Sequence, residues 1–568
     1  LQRTRRKEDG DESKLDTVSP KTLPARNCHR FGGRKQNRQN GLYAKKVSTL
    51  NIMNLNTAKL SRRALLQLAA GVSASVMAGR LPAARKRASS GHALPAVFQN
   101  PLFAGDFADP TILRVGKDFY VTNTSYRYAP GLKVWHSRDL VNWVPISHAL
   151  DHTYGAGEVW APELAECNGR YFIYFPLNGR LFVVYAENPR GPWSTPVDLK
   201  VGGIDPGHIV GPDGTRYLYF AGGNMITLGA DGLSVVGESK HVYDGWVFPS
   251  DWKTEGMWLE SPKLTRRGEY YYLTSAEGGT AGPPTSHMAV VARSASPLGP
   301  WVNSPYNPLI HTYSANETWW SVGHGSLVST PDDRWYFVYH GYRKGFTTLG
   351  RQILMEPVEW TPDGWPRAPL GARRDQPMPA PMGVAQRPMI GLSDDFRSPT
   401  LKATWDAWDE TGMSRFQTGS GALMMRAKGE SLGQSSPLTV MARSASYQVQ
   451  VAASPRTGCG AALGLFYNPD NWLFAELKNA QLSVFGAKDT LVTRVWKAGA
   501  AQLRMVNQNN RVAFLASKNG RDWQSLVGDI DTSGYNNSNL HGYQSLRPAL
   551  AASGVGEARF TDFSYGTL

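Results

Sequence analysis

The chain has 568 residues, 41% of them hydrophobic and only 19% charged, with 58 Gly, 37 Pro and 18 Trp. That length exceeds one compact core, and the composition fits many short strands joined by tight turns, not a helical bundle or a disordered polymer. The net charge of +15 would suggest a nucleic-acid or membrane surface, but residues 1–90 alone hold 20 Lys/Arg against 5 Asp/Glu and account for all of it, so nucleic-acid binding by the folded part loses its support.

Residues 1–52 are polar and basic without hydrophobic periodicity and read as an upstream extension, expected to be disordered. Residues 53–96 carry Ser61-Arg62-Arg63-Ala64-Leu65-Leu66, a short Ala-rich apolar run, and Leu81-Pro82-Ala83-Ala84. A paired arginine ahead of a modest apolar stretch has the form of a twin-arginine-type export signal, here followed by a linker. The run is too short for a good membrane span. The expectation is an exported protein, periplasmic or extracellular, with no stable membrane insertion after processing. Cys28, Cys167 and Cys459 fall in three different segments, and neither a disulfide framework nor a cysteine metal site follows.

Residues 97–375 contain a five-copy repeat in which an acid-, Pro- or Gly-bearing turn precedes a short apolar strand, a polar turn and an aromatic strand. The copies begin at Asp109-Pro110-Thr111-Ile112, Ala161-Pro162-Glu163-Leu164, Asp205-Pro206-Gly207-His208, Glu260-Ser261-Pro262-Lys263 and Gly323-His324-Gly325-Ser326. A second shared element ends in Trp143, Trp193 and Trp301, each placed to pack between strands or blades. A single blade cannot bury both its faces, so the repeats predict a closed five-bladed β-propeller whose first strands line a central channel. Asp109, Asp205 and Glu260 occupy equivalent positions at the entrances of those strands and are expected to converge on one axial pocket.

Hydrolysis of a glycosidic bond requires one carboxylic acid to protonate the leaving oxygen and one carboxylate to activate water or attack the anomeric carbon. Three crowded acids meet that need and raise at least one pKa, as a general acid at neutral pH requires. Trp160, Trp258, Trp319 and Trp320 lie near strand entrances, where a ring face can pack on a sugar. Glu255 is the nearest competitor for the acid role, and Glu158 and Glu163, flanking Trp160, are expected at the pocket rim.

The runs Gly105-Asp106-Phe107-Ala108-Asp109-Pro110, Trp135-His136-Ser137-Arg138-Asp139-Leu140, Trp160-Ala161-Pro162, Ile204-Asp205-Pro206, Glu260-Ser261-Pro262, Gly323-His324-Gly325 and Gly350-Arg351-Gln352 stand in an order that resembles glycoside hydrolase family 43. The resemblance covers about residues 98–370. It implies an inverting enzyme with Asp109 as general base, Glu260 as general acid and Asp205 as the carboxylate that tunes and orients the acid. Inversion implies Asp109 and Glu260 carboxyls about 6.5–9.5 Å apart, leaving room for the water. The same resemblance places His324 at the channel centre, where it could hold a water-mediated calcium, and Arg351 facing the acids and substrate hydroxyls. No cofactor is required. This chain has Ser261 where the family often has Gly.

Residues 376–392 are Pro-rich and read as a linker. Residues 393–568 show period-two alternation, as in Tyr447-Gln448-Val449-Gln450-Val451, and predict a β-sandwich of jelly-roll type. It resembles the concanavalin-like domain that follows the propeller in some family 43 enzymes, where it closes one side of the pocket. The fold class is all-β. The substrate implied is a xylan- or arabinan-derived oligosaccharide, cut by a β-xylosidase or α-L-arabinofuranosidase. The alternatives are an endo-arabinanase, a galactofuranosidase and a non-catalytic carbohydrate-binding propeller.

Overall fold

A computed structural model describes residues 96–456 and 458–568. The basic leader and the twin-arginine motif lie outside the described residues. Among those described, no helix is long and apolar enough to cross a membrane.

Five antiparallel sheets form the blades. Their inner strands are Thr111–Val115, Glu163–Cys167, Gly207–Val210, Leu259–Arg267 and Trp319–Ser329. Each inner strand contacts the next, and the fifth contacts the first, so the ring is closed. Separate apolar clusters fill the seams. Tyr120, Val134, Leu164 and Ile173 pack between blades one and two, Phe172, Tyr174, Leu218 and Ile226 between two and three, and Phe119, Trp135, Val338 and Ile353 between five and one. This is the burial that a lone blade cannot achieve. The repeated tryptophans sit where expected. Trp143 is buried with its indole N–H on the Leu140 carbonyl, Trp193 packs at the seam of blades one and two, and Trp301 meets Tyr219 edge-on.

The Pro-rich stretch is packed instead of free. Met378–Pro379 pairs with Val97–Phe98, and Met378 is buried in the cluster between blades five and one. The second domain is a sandwich of two antiparallel sheets. Strand Ser446–Pro455 alternates buried and half-buried positions along its length, as period-two patterning demands, and its buried side joins a core that includes Val449, Leu463, Met505 and Phe560. One sheet continues into the first domain, because Tyr128–Ala129 of blade one pairs with Trp405–Trp408 at its edge. The sandwich is thereby fixed to the propeller through backbone hydrogen bonds as well as side chains.

Candidate active site

The inner strands enter the channel through left-handed backbone. Asp109 (φ 55°), Asp205 (φ 56°), Ser261 (φ 52°) and His324 (φ 54°) all lie there. Such residues cost energy and recur where the fold must aim a side chain, and Asp tolerates the conformation better than most. The kink falls at residues 109 and 205 themselves but one residue after Glu260, so the three acids are not at equivalent repeat positions as expected, yet all three border one pocket. Glycine at 323 and 325 has a steric cause. An added Cβ at Gly323 would fall 2.4 Å from the His287 ring, and one at Gly325 would fall 2.3 Å from the Val338 carbonyl oxygen.

The pocket encloses about 200 Å³ and brings together Asp109, Asp205, Glu260, His324, Arg351, Trp160 and Trp258, with Glu255 on its wall and Tyr543 contributed by the sandwich. Asp109 is almost fully buried. Its Oδ2 accepts the Thr124 hydroxyl at 2.6 Å and its Oδ1 accepts Arg351 Nη1 at 2.7 Å. Its backbone N–H donates to His340 Nδ1 at 3.0 Å, so that nitrogen carries no proton and does not hold the carboxylate. His324 Nδ1 lies 3.4 Å from Oδ1. Burial alone would raise the Asp109 pKa, but the adjacent Arg351 charge, with His324, outweighs it and holds the carboxyl well below its ordinary value.

The other two acids shift the opposite way. Burial, then the charge of Asp109, pushes Asp205 up to about 7, although Lys263 and the Ser261 N–H, 3.3 Å from Oδ2, oppose this. Glu260 is raised well above its ordinary value by burial first and by Asp205 and Asp109 after it. Its Oε1 stands 3.7 Å from His287 Nε2. A pocket that holds one carboxylate ionised and another protonated contains the pair that acid–base hydrolysis needs.

Several expectations change. Trp320 does not line the pocket, because its indole turns to the preceding loop and donates to the Ala315 carbonyl at 3.1 Å. Trp319 is 3% exposed and belongs to the core between blades four and five. Glu163 does not reach the rim. It is buried beneath the pocket, accepting Lys263 Nζ at 2.8 Å, Thr111 Oγ1 at 3.0 Å and the His208 N–H at 3.2 Å, and so ties four blades together. Glu158 instead accepts the Trp160 indole N–H at 2.8 Å and fixes that ring at the mouth. Glu255 Oε2 is occupied by the Ala281 N–H at 2.7 Å.

Three buried histidines, 287, 324 and 340, cluster beneath the acids, with ring centroids 5.4 Å apart for 287–340 and for 324–340. Burial keeps all three below the ordinary histidine value, against the pull of Asp109 and with the help of the Arg351 charge, His340 at about 4. Two sets could offer a metal one donor each, Asp109 with His324 and His340, and Glu260 with His287 and His324. Both are nitrogen-rich, whereas calcium takes six to eight oxygens, so the residues do not fit a directly ligated calcium. His324 Nε2 lacks a protein partner and is the atom a water would meet.

Residues 98–366 match the family model described as Glycosyl hydrolases family 43. Among curated proteins, the chain is 33% identical over 293 residues to a non-reducing end alpha-L-arabinofuranosidase of Bacteroides ovatus, covering 48% of this chain and 53% of that protein. It is 31% identical over 350 residues to a xylan 1,3-beta-xylosidase of Vibrio sp, covering 53% and 63%. These two matches thus span between about half and two thirds of the relatives' own length. A Butyrivibrio fibrisolvens xylosidase/arabinosidase is 28% identical over 83% of this chain and 99% of its own. Among solved structures, the GH43 protein BlXynB of Bacillus licheniformis superposes with a TM-score of 0.75 at 26% identity, covering 83% of this chain and all of that one.

Proposed function

We infer that this chain, which belongs to glycoside hydrolase family 43 through its propeller, is an inverting glycosidase that releases xylose or arabinose from plant-derived oligosaccharides. The observation that carries the reading is the convergence of Asp109, Asp205 and Glu260 on one pocket, where Arg351, 2.7 Å from Asp109, favours the ionised form of that acid and the partly enclosed Glu260 is pushed toward its protonated form. In this mechanism Asp109 takes a proton from water as that water attacks the anomeric carbon. Glu260 gives its proton to the departing oxygen, and the glycosidic C–O bond breaks with inversion. Burial keeps the acid protonated, and Asp205, where it is ionised, adds to this and orients the acid. The exposed ring faces of Trp160 and Trp258 receive the sugar.

The names of the relatives support a pentoside substrate. The Tyr543 wall supports cleavage of terminal residues over an endo-arabinanase reading, which needs a groove open at both ends. A galactofuranosidase, or a propeller that binds sugar without cutting it, has no observation in its favour. A calcium associated with His324 would be held through water. Export by the twin-arginine motif is part of the proposal, and Arg62→Lys with Arg63→Lys should retain the protein inside the producing cell.

The test uses aryl β-xylosides and α-L-arabinofuranosides whose leaving groups differ in acidity. Glu260→Ala should lose little rate on the most acidic phenol and much on the least, whereas Asp109→Ala should lose rate on both alike. Equal rates for wild type and Glu260→Ala on the poor leaving group would remove the acid assignment.

A further inference from the structure

Asp106 lies three residues before Asp109, and its side chain is completely buried. Its carboxylate meets both domains. Oδ1 accepts the backbone N–H of Arg351 at 3.2 Å, while Oδ2 accepts that of Ser545 at 2.9 Å and faces Arg547 Nη2 at 3.8 Å. The surroundings leave it no freedom, for an added Cβ at Gly350 would fall 2.5 Å from its Cγ. Arg547 Nη1 continues to Asp406 at 3.3 Å, Asp406 accepts Lys133 Nζ at 3.0 Å, and the Arg547 guanidinium lies 3.6 Å from the Tyr128 ring centre. Acids and cations therefore alternate across the seam between blade one and the sandwich.

The groups that Asp106 pins are those of the pocket. Arg351, held at its backbone, donates to Asp109 at 2.7 Å and to the Tyr126 hydroxyl at 3.1 Å. Tyr543, two residues before Ser545, lines the pocket, accepts the Tyr126 O–H at its carbonyl at 2.9 Å and stands 5.6 Å from the Arg351 guanidinium.

We propose that Asp106 is a positioning residue for the glycosidase: one carboxylate clamps Arg351 of blade five and the Ser545 segment of the sandwich, and so makes the sandwich a working part of the active site. It acts through Arg351 on Asp109 and does not meet substrate. The proposal rests on the catalytic reading above.

The test is Asp106→Asn in the full chain. The amide keeps the shape, but only its oxygen can accept, so one of the two backbone N–H groups meets a donor instead. A misplacement of this kind should lower kcat/KM roughly ten- to a hundredfold. It should also move the acid limb of the pH profile upward, because Arg351 no longer holds Asp109 down. A structural role alone would lower the melting temperature and leave that limb in place, and this result would overturn the proposal. Should Asp106→Asn not fold, Arg547→Met removes the cation from the same carboxylate and is expected to move the limb the same way; an unmoved limb there overturns the proposal equally. A wild type that hydrolyses no pentoside would instead refute the catalytic reading, which the unmutated protein tests on its own.

Discussion

Replacing Arg351 with methionine keeps most of the buried stem and removes the guanidinium from Asp109. The hydrogen bond lost is 2.7 Å long and joins two side chains that are each about 5% exposed, so solvent does not screen it. A hydrogen bond to a charged group contributes about 1.5–3 kcal/mol, and one pKa unit corresponds to about 1.4 kcal/mol. The Asp109 carboxyl should therefore rise by about one to two units. In the wild type, kcat/KM for an aryl pentoside should stay flat down to low pH, because the base is ionised well below its ordinary value. In Arg351→Met an acid limb should enter the measurable range. Stability follows the same sign. A depressed carboxyl stabilises the folded state above its unfolded pKa and loses that contribution as pH falls through the folded value. The melting-temperature gap between the two proteins should therefore narrow on acidification. A large fall in kcat with no movement of the acid limb would refute the reasoning and make Arg351 a substrate ligand alone.

Asp205→Asn removes a negative neighbour from Glu260, so the basic limb of kcat/KM should move to lower pH; a limb that stays put would show that burial alone raises Glu260. Ser261→Gly relieves a left-handed backbone position and deletes a buried hydroxyl without a partner. It should raise the melting temperature by a gain of about 1 kcal/mol while preserving the backbone N–H that Asp205 accepts. Trp258→Ala should raise KM for short oligosaccharides, whereas Trp320→Ala should not, because only the first ring borders the pocket.

Asp109 and Asp205 were legible because a repeat puts equivalent positions on one axis, whereas the equivalent position in the fourth blade is Ser261, and Glu260 reaches the pocket from one residue earlier, beside a register shift. The same rule located His324. It could not orient side chains. Trp320 sits as near a strand entrance as Trp258, yet register shifts between Trp320 and Gly323 interrupt its strand, and its ring faces its own preceding loop. Glu163 stands in a repeat position too, but Lys263 draws it under the pocket as a structural ion pair. His287 and His340 lie on or beside later strands of their blades, where the repeat shares no polar position, and no spacing announces them. Asp106 and Tyr543 were beyond reach for another reason: they act through contacts between domains, such as the hydrogen bond joining residues 439 apart in sequence, which no local pattern encodes. Serine at 261, a small change by sequence, proved to occupy a backbone conformation that favours glycine.

The most direct test of the account is the anomeric configuration of the sugar first released, followed by proton NMR during hydrolysis of an aryl β-xyloside and an aryl α-L-arabinofuranoside. Attack by a water that Asp109 activates, with Glu260 protonating the leaving group, predicts that the first product has the configuration opposite to the substrate. First release of the retained anomer would contradict it and make one of these carboxylates a nucleophile.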